Sequence, residues 1–144
     1  MTAWRTIAIG LGGAVGVIAA GAVGNLLGVI VERAFGQEWA GHATIHLAFG
    51  ALAFAIALWV GRLRRATLAS GWTERGLATV RLMAFVVSAT AVVEGIGAYP
   101  PLEVLHNIVY ANVLALLVLL LGFLFIAVVG VGRLVQGARA ARST

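Results

Sequence analysis

The sequence contains no cysteine, and neither lysine nor aspartate occurs among its 144 residues. The missing cysteine excludes disulfide bonds, thiolate metal ligands and thiol redox chemistry. Charged residues make up only 10% of the chain, whereas a soluble domain carries about 25% so that its surface can be wetted. A chain this poor in charge is expected to expose most of its surface to lipid.

Hydrophobic residues make up 62% of the chain and are concentrated in four continuous runs. A helix needs about 20 such residues to cross the hydrocarbon core of a bilayer. The runs lack the alternation of apolar and polar residues that membrane β-barrels show, and helices satisfy their own backbone hydrogen bonds in lipid. The sequence therefore predicts an all-α, polytopic membrane protein, with one domain over residues 1–144. Four transmembrane helices, over about 6–31, 43–60, 76–98 and 102–134, are expected to form an up-down bundle.

The arginines are distributed unevenly between the two sides of this bundle. Arg62, Arg64 and Arg65 lie between the second and third helices, whereas Arg33 is the one arginine on the opposite side. Because positive charge concentrates on the cytoplasmic side, both termini are expected to be cytoplasmic, in the inner (plasma) membrane. Arg62, Arg64 and Arg65 are interpreted as a topology anchor that can also contact membrane lipids, and Arg81 as a residue that snorkels to headgroups or contacts a phosphate. The arginines form no basic face on a soluble scaffold, so nucleic acid is not expected as a partner.

Small residues repeat every four positions along the first predicted helix. Such residues let two helices approach closely in lipid, where no hydrophobic effect drives the helices together. The repeat predicts a packing face, used within the bundle, between copies of the chain in a homo-oligomer, or with other membrane subunits. Its members are Gly12, Gly16, Ala20, Gly24 and Gly28.

The three histidines lie near helix ends on the side opposite Arg62, Arg64 and Arg65, which we call the arginine cluster. His42 and His46 are four residues apart and share a helix face, and Glu103 precedes His106 by three residues. Imidazole and carboxylate suit zinc, iron or copper, so His42, His46 and Glu103 form a candidate metal site. A b-type haem is the alternative, with His46 and His106 as axial ligands. Ordinary interfacial solvation explains these residues equally well, so the cofactor stays unknown.

Glu32, Glu94 and Asn25 are candidates for binding a proton, an ion or a substrate, because ionisable groups within a membrane are costly and commonly functional. Three hypotheses follow: an accessory or structural subunit of a membrane complex, a small oligomeric transporter or channel that uses the Glu/His cluster, and a haem- or metal-binding redox subunit. No motif for hydrolysis or group transfer occurs. Enzyme activity is therefore the less expected class, and no catalytic residue is assigned.

Overall fold

The computed structural model describes residues 1–67, 71–102 and 111–142, with side chains for 1–66, 71–102 and 116–142. These residues form four α-helices, α1 (Ala3–Phe35), α2 (Glu38–Thr67), α3 (Gly71–Gly97) and α4 (Ala111–Ala140), and one 3-10 turn (Pro100–Leu102). All four α-helices are long and apolar enough to cross a membrane. The chain is therefore a multi-pass membrane protein built from helices.

Helix α1 begins and ends at local capping groups, and α1 and α2 extend beyond the predicted spans at both ends. The Thr2 side chain accepts a hydrogen bond from the backbone N–H of Arg5, and Gly36, in the left-handed conformation at φ 64°, ends α1. Hydropathy reports only the part of a helix that lies in lipid, whereas these caps fix where it begins and ends. Leu102, predicted to begin the fourth helix, instead closes the 3-10 turn. Residues 103–110 lie outside the described residues.

The four helices pack as a bundle in which α1 and α3 each contact both α2 and α4. Large apolar side chains such as Leu26, Phe54 and Leu121 are exposed on its outer surface, as expected for a protein solvated by lipid. The interior is filled by apolar side chains that are at most 1% exposed: Val17, Ala53, Ala57, Val60, Leu77, Val80, Ala84, Val87, Ala91, Leu119, Phe123 and Ile126.

Glycines bring α1 and α4 into backbone contact. A Cβ atom on Gly10 would lie 2.7 Å from the carbonyl oxygen of Phe123, and one on Gly130 would lie 2.8 Å from the backbone nitrogen of Ile7. A Cβ on Gly13 would overlap the ring of Phe123. Close packing of this kind supplies the dispersion energy that holds helices together in lipid.

The predicted small-residue ridge does not stay on one face of α1. Ala20, Gly24 and Gly28 are buried, and a Cβ on Gly28 would lie 2.9 Å from the carbonyl oxygen of Gly41 in α2. Gly12 and Gly16 are exposed, and no atom of another described element would lie within 4 Å of a Cβ on either. An α-helix turns about 100° per residue, so each four-residue step rotates by about 40° and the ridge leaves the interface. Gly12 and Gly16 therefore pack against nothing in the described chain, and their use between chains stays a prediction.

Candidate functional site

A histidine and a glutamate meet between α2 and α3, at the end of the bundle opposite the arginine cluster. His46 Nδ1 lies 3.1 Å from Glu94 Oε2, within hydrogen-bonding distance. Glu94 is only 3% exposed, and the side chain of His46 is 17% exposed. Both residues belong to helices that qualify as membrane spans. We refer to these two residues as the His46–Glu94 pair.

Small residues on both sides of the pair allow this short distance. A Cβ on Gly95 would lie 2.9 Å from Leu47 Cγ and 3.4 Å from the carbonyl oxygen of Ala43. One turn away, a Cβ on Gly50 would lie 3.2 Å from the Cβ of Ala91. The missing side chains let α2 and α3 approach closely, and two polar side chains of ordinary length then reach each other within the interface.

The electrostatics of the pair depend on how many protons it holds. With one proton, either as an imidazolium–carboxylate pair or as a neutral imidazole beside a neutral acid, its net charge is zero. Adding a second proton or removing the first leaves one uncompensated charge. Burying such a charge is costly because the interior solvates it poorly. The one-proton state is therefore favoured, and the pair would gain or lose a proton only when a compensating charge approaches or leaves.

A mainly apolar pocket of about 190 Å³ adjoins His46. Asn25 lines this pocket, but its side-chain amide donates to the carbonyl oxygen of Gly21, one turn earlier in α1, at 2.9 Å. His46 thus contacts Glu94 and also borders a space large enough for a few water molecules or a small apolar group. The described residues that line the pocket are Gly21, Gly24, Asn25, Ile45, His46, Phe49 and Leu116.

The other predicted ligands at this end of the bundle are dispersed. His42 is exposed, and its Nδ1 lies 3.2 Å from the carbonyl oxygen of Glu38 in its own helix. Glu32 is exposed beside Gly41, where a Cβ would lie 3.2 Å from Glu32 Oε2. Glu103 and His106 lie outside the described residues. Among residues 1–67, 71–102 and 111–142 no group of three or more metal-ligating side chains occurs, so the metal and haem sites stay predictions.

The arginine cluster includes an ion pair that the sequence analysis missed. Arg64 of α2 donates from Nε to Glu74 Oε1 of α3 at 2.9 Å, with a second contact from its Nη2. Arg62 and Arg65 are exposed. Glu74 follows α2 by only a few residues, and this was the available signal that a carboxylate lies near the arginines. Arg64 therefore links α2 to α3, whereas Arg62 and Arg65 extend outward.

No family model, no curated protein and no solved structure matches this chain. Its four apolar helices are those of a small membrane protein. A more specific function has to be inferred from the chemistry of the His46–Glu94 pair and of the surfaces around it.

Proposed function

We propose that this chain is a subunit of an inner-membrane assembly and that its His46–Glu94 pair takes up and releases a proton. The observation that supports this most directly is the burial of the Glu94 carboxyl group, 3% exposed, beside the imidazole of His46 at 3.1 Å. Replacing a buried ion pair by apolar side chains is often neutral or stabilising. A packing role alone would therefore not require these two residues, whereas proton exchange does.

The packed interior favours a subunit over a self-sufficient channel. Between the His46–Glu94 pair and the arginine cluster, the described interior is apolar and filled, with Ala84, Val87 and Phe123 at most 1% exposed. Within this described interior no polar side chains form a path for ions along the axis of one chain. Transport would then require a path between copies of the chain or along another membrane subunit. We propose such an oligomer or complex as the working form.

The proposed orientation follows from charge. Arg62, Arg64 and Arg65 are placed at the cytoplasmic surface by the positive-inside rule, with both termini on that side and the helices alternating up and down. The His46–Glu94 pair then lies in the outer half of the membrane. Protons would reach it from outside the cell, through the neighbourhood of the 190 Å³ pocket.

Infrared difference spectroscopy tests the proton-binding role. On lowering the pH, we expect a carbonyl band of a protonated carboxylic acid shielded from water, because Glu94 is buried. Glu94→Gln should remove this band, and His46→Gln should shift it, since an amide replaces the imidazole 3.1 Å from Glu94 Oε2. Glu32→Gln is the matched control because Glu32 is exposed, and it should leave the band in place. An unchanged band in Glu94→Gln would rule out the proposed proton site.

Native mass spectrometry of the gently solubilised protein tests the subunit role. We expect several copies of the chain, or other membrane proteins, to remain bound. A homogeneous monomer that retains no partner would contradict the assembly but would leave the proton site to be judged by infrared spectroscopy.

A further inference from the structure

A second polar site lies between α2 and α3 near the arginine cluster. Arg81 lines a pocket of about 330 Å³ together with Arg64, Ala78, Leu82 and Phe85. The Arg81 guanidinium carbon lies 5.5 Å from the centre of the Phe85 ring, a cation–π contact. Gly61 of α2 provides room for it, because a Cβ there would lie 3.0 Å from Arg81 Nε. The guanidinium is thus held in place by packing.

The charge of Arg81 is not compensated within the described chain. Its Nε is buried and has no hydrogen-bond partner among the described residues. The nearby carboxylate of Glu74 is paired with Arg64. The guanidinium group carries a positive charge, and a buried donor without a partner is costly. An anion in the pocket would compensate the charge of the Arg81 guanidinium.

We propose that Arg81, assisted by Arg64, binds the phosphate group of an anionic phospholipid. Guanidinium groups donate paired hydrogen bonds to phosphate oxygens with matching geometry. A lipid is favoured over a free anion because the pocket continues into apolar surface exposed to the membrane. Leu82, which lines the pocket, is 59% exposed, and Phe54 is 47% exposed and packs edge-on against Phe85 at 5.8 Å. An acyl chain can lie along this surface while the phosphate contacts Arg81.

This site differs from the general attraction of a basic surface to anionic lipid. Arg62 and Arg65 are exposed and do not line the pocket. They contribute to a diffuse potential, whereas Arg81 is fixed by Phe85 and Gly61 and is expected to hold one phosphate at a defined position. The lipid site does not depend on the His46–Glu94 pair, so each proposal can fail separately.

Titration with phosphatidylglycerol, followed by native mass spectrometry, tests the site. Arg81→Gln should weaken the apparent Kd for the first bound lipid by about tenfold, the effect of losing one charge-assisted contact. Arg62→Gln removes the same charge from an exposed position and should change the Kd by less than about twofold, as expected for a weak surface interaction. Glu74→Gln should tighten binding, because it releases Arg64 to the phosphate.

Further measurements distinguish a lipid phosphate from free phosphate and provide alternative variants in case Arg81→Gln does not fold. Inorganic phosphate should not displace the lipid, and phosphatidylcholine should bind more weakly because its headgroup is zwitterionic. Should Arg81→Gln fail to fold, Arg81→Lys and Glu74→Gln still test the site. Equal losses in Arg81→Gln and Arg62→Gln, no tightening in Glu74→Gln, or displacement by inorganic phosphate would each overturn the proposal.

Discussion

The contact between α1 and α4 predicts that the same substitution destabilises the protein at one glycine but not at another glycine two residues away. Gly10→Ala places a Cβ 2.7 Å from the carbonyl oxygen of Phe123 and 2.7 Å from the Cβ of Ala127. The backbone of α4 cannot move aside as a side-chain end could, so the two helices must separate. Gly12→Ala places a Cβ where no atom of another described element lies within 4 Å.

The magnitudes follow from overpacking and helix propensity. Overpacking typically costs about 1–3 kcal/mol, and backbone contacts place Gly10→Ala at the upper end of that range. Replacing glycine by alanine in a helix returns up to about 1 kcal/mol at either position. Gly10→Ala should therefore lower the free energy of unfolding by about 2 kcal/mol, and Gly12→Ala should leave it unchanged or raise it slightly.

Reversible unfolding in mixed micelles, driven by sodium dodecyl sulfate and followed by circular dichroism, measures this difference. Equal stability of Gly10→Ala and the unchanged protein would refute the close approach of α1 to α4. A loss of stability in Gly12→Ala that depends on protein concentration would instead place Gly12 at an interface between copies of the chain. The pair of variants thus separates packing within one chain from packing between chains.

Two further predictions concern a helix end and transport. Gly36→Ala should destabilise the protein by about 1 kcal/mol because alanine is strained in the left-handed conformation, which Gly36 adopts at φ 64°. Gly132→Ala is the control: its Cβ would meet no neighbouring atom among the described residues, so it should not destabilise the protein. The same unfolding assay compares the two variants. In liposomes, Glu94→Gln should abolish any proton-coupled flux while Glu32→Gln preserves it, and unchanged flux in Glu94→Gln would eliminate Glu94 as the coupling group.

The four spans could be predicted from the sequence because lipid solvation acts on every residue of a run. A stretch such as 111–131 is apolar regardless of which helix it contacts, so its identity as a span does not require tertiary information. Helix ends depend on single residues. Gly36 ends α1 through one left-handed backbone conformation, and hydropathy does not record this.

The candidate site was only partly predictable because pairing between helices depends on their register. From the sequence alone, Glu32 and Glu94 are equivalent candidates, since both lie near the ends of apolar runs. The structure separates them: Glu32 is exposed, and Glu94 is buried beside His46. That difference arises from the close approach of α2 to α3 at Gly50 and Gly95. Spacing along one helix contains no information on which residue of another helix lies opposite.

The two polar sites along α3 are far enough apart to act almost independently. Arg81 and Glu94 are thirteen positions apart in the sequence, or about 20 Å along an α-helix. At an effective dielectric constant of about 20, two unit charges at that distance interact by about 0.8 kcal/mol, less than a tenfold change in an equilibrium constant. Neutralising Arg81 with a lipid phosphate therefore shifts proton binding at the His46–Glu94 pair only slightly. Strong coupling between lipid and proton binding would require movement of α3 against α2. Such a movement would change the close contacts at Gly50, Gly61 and Gly95.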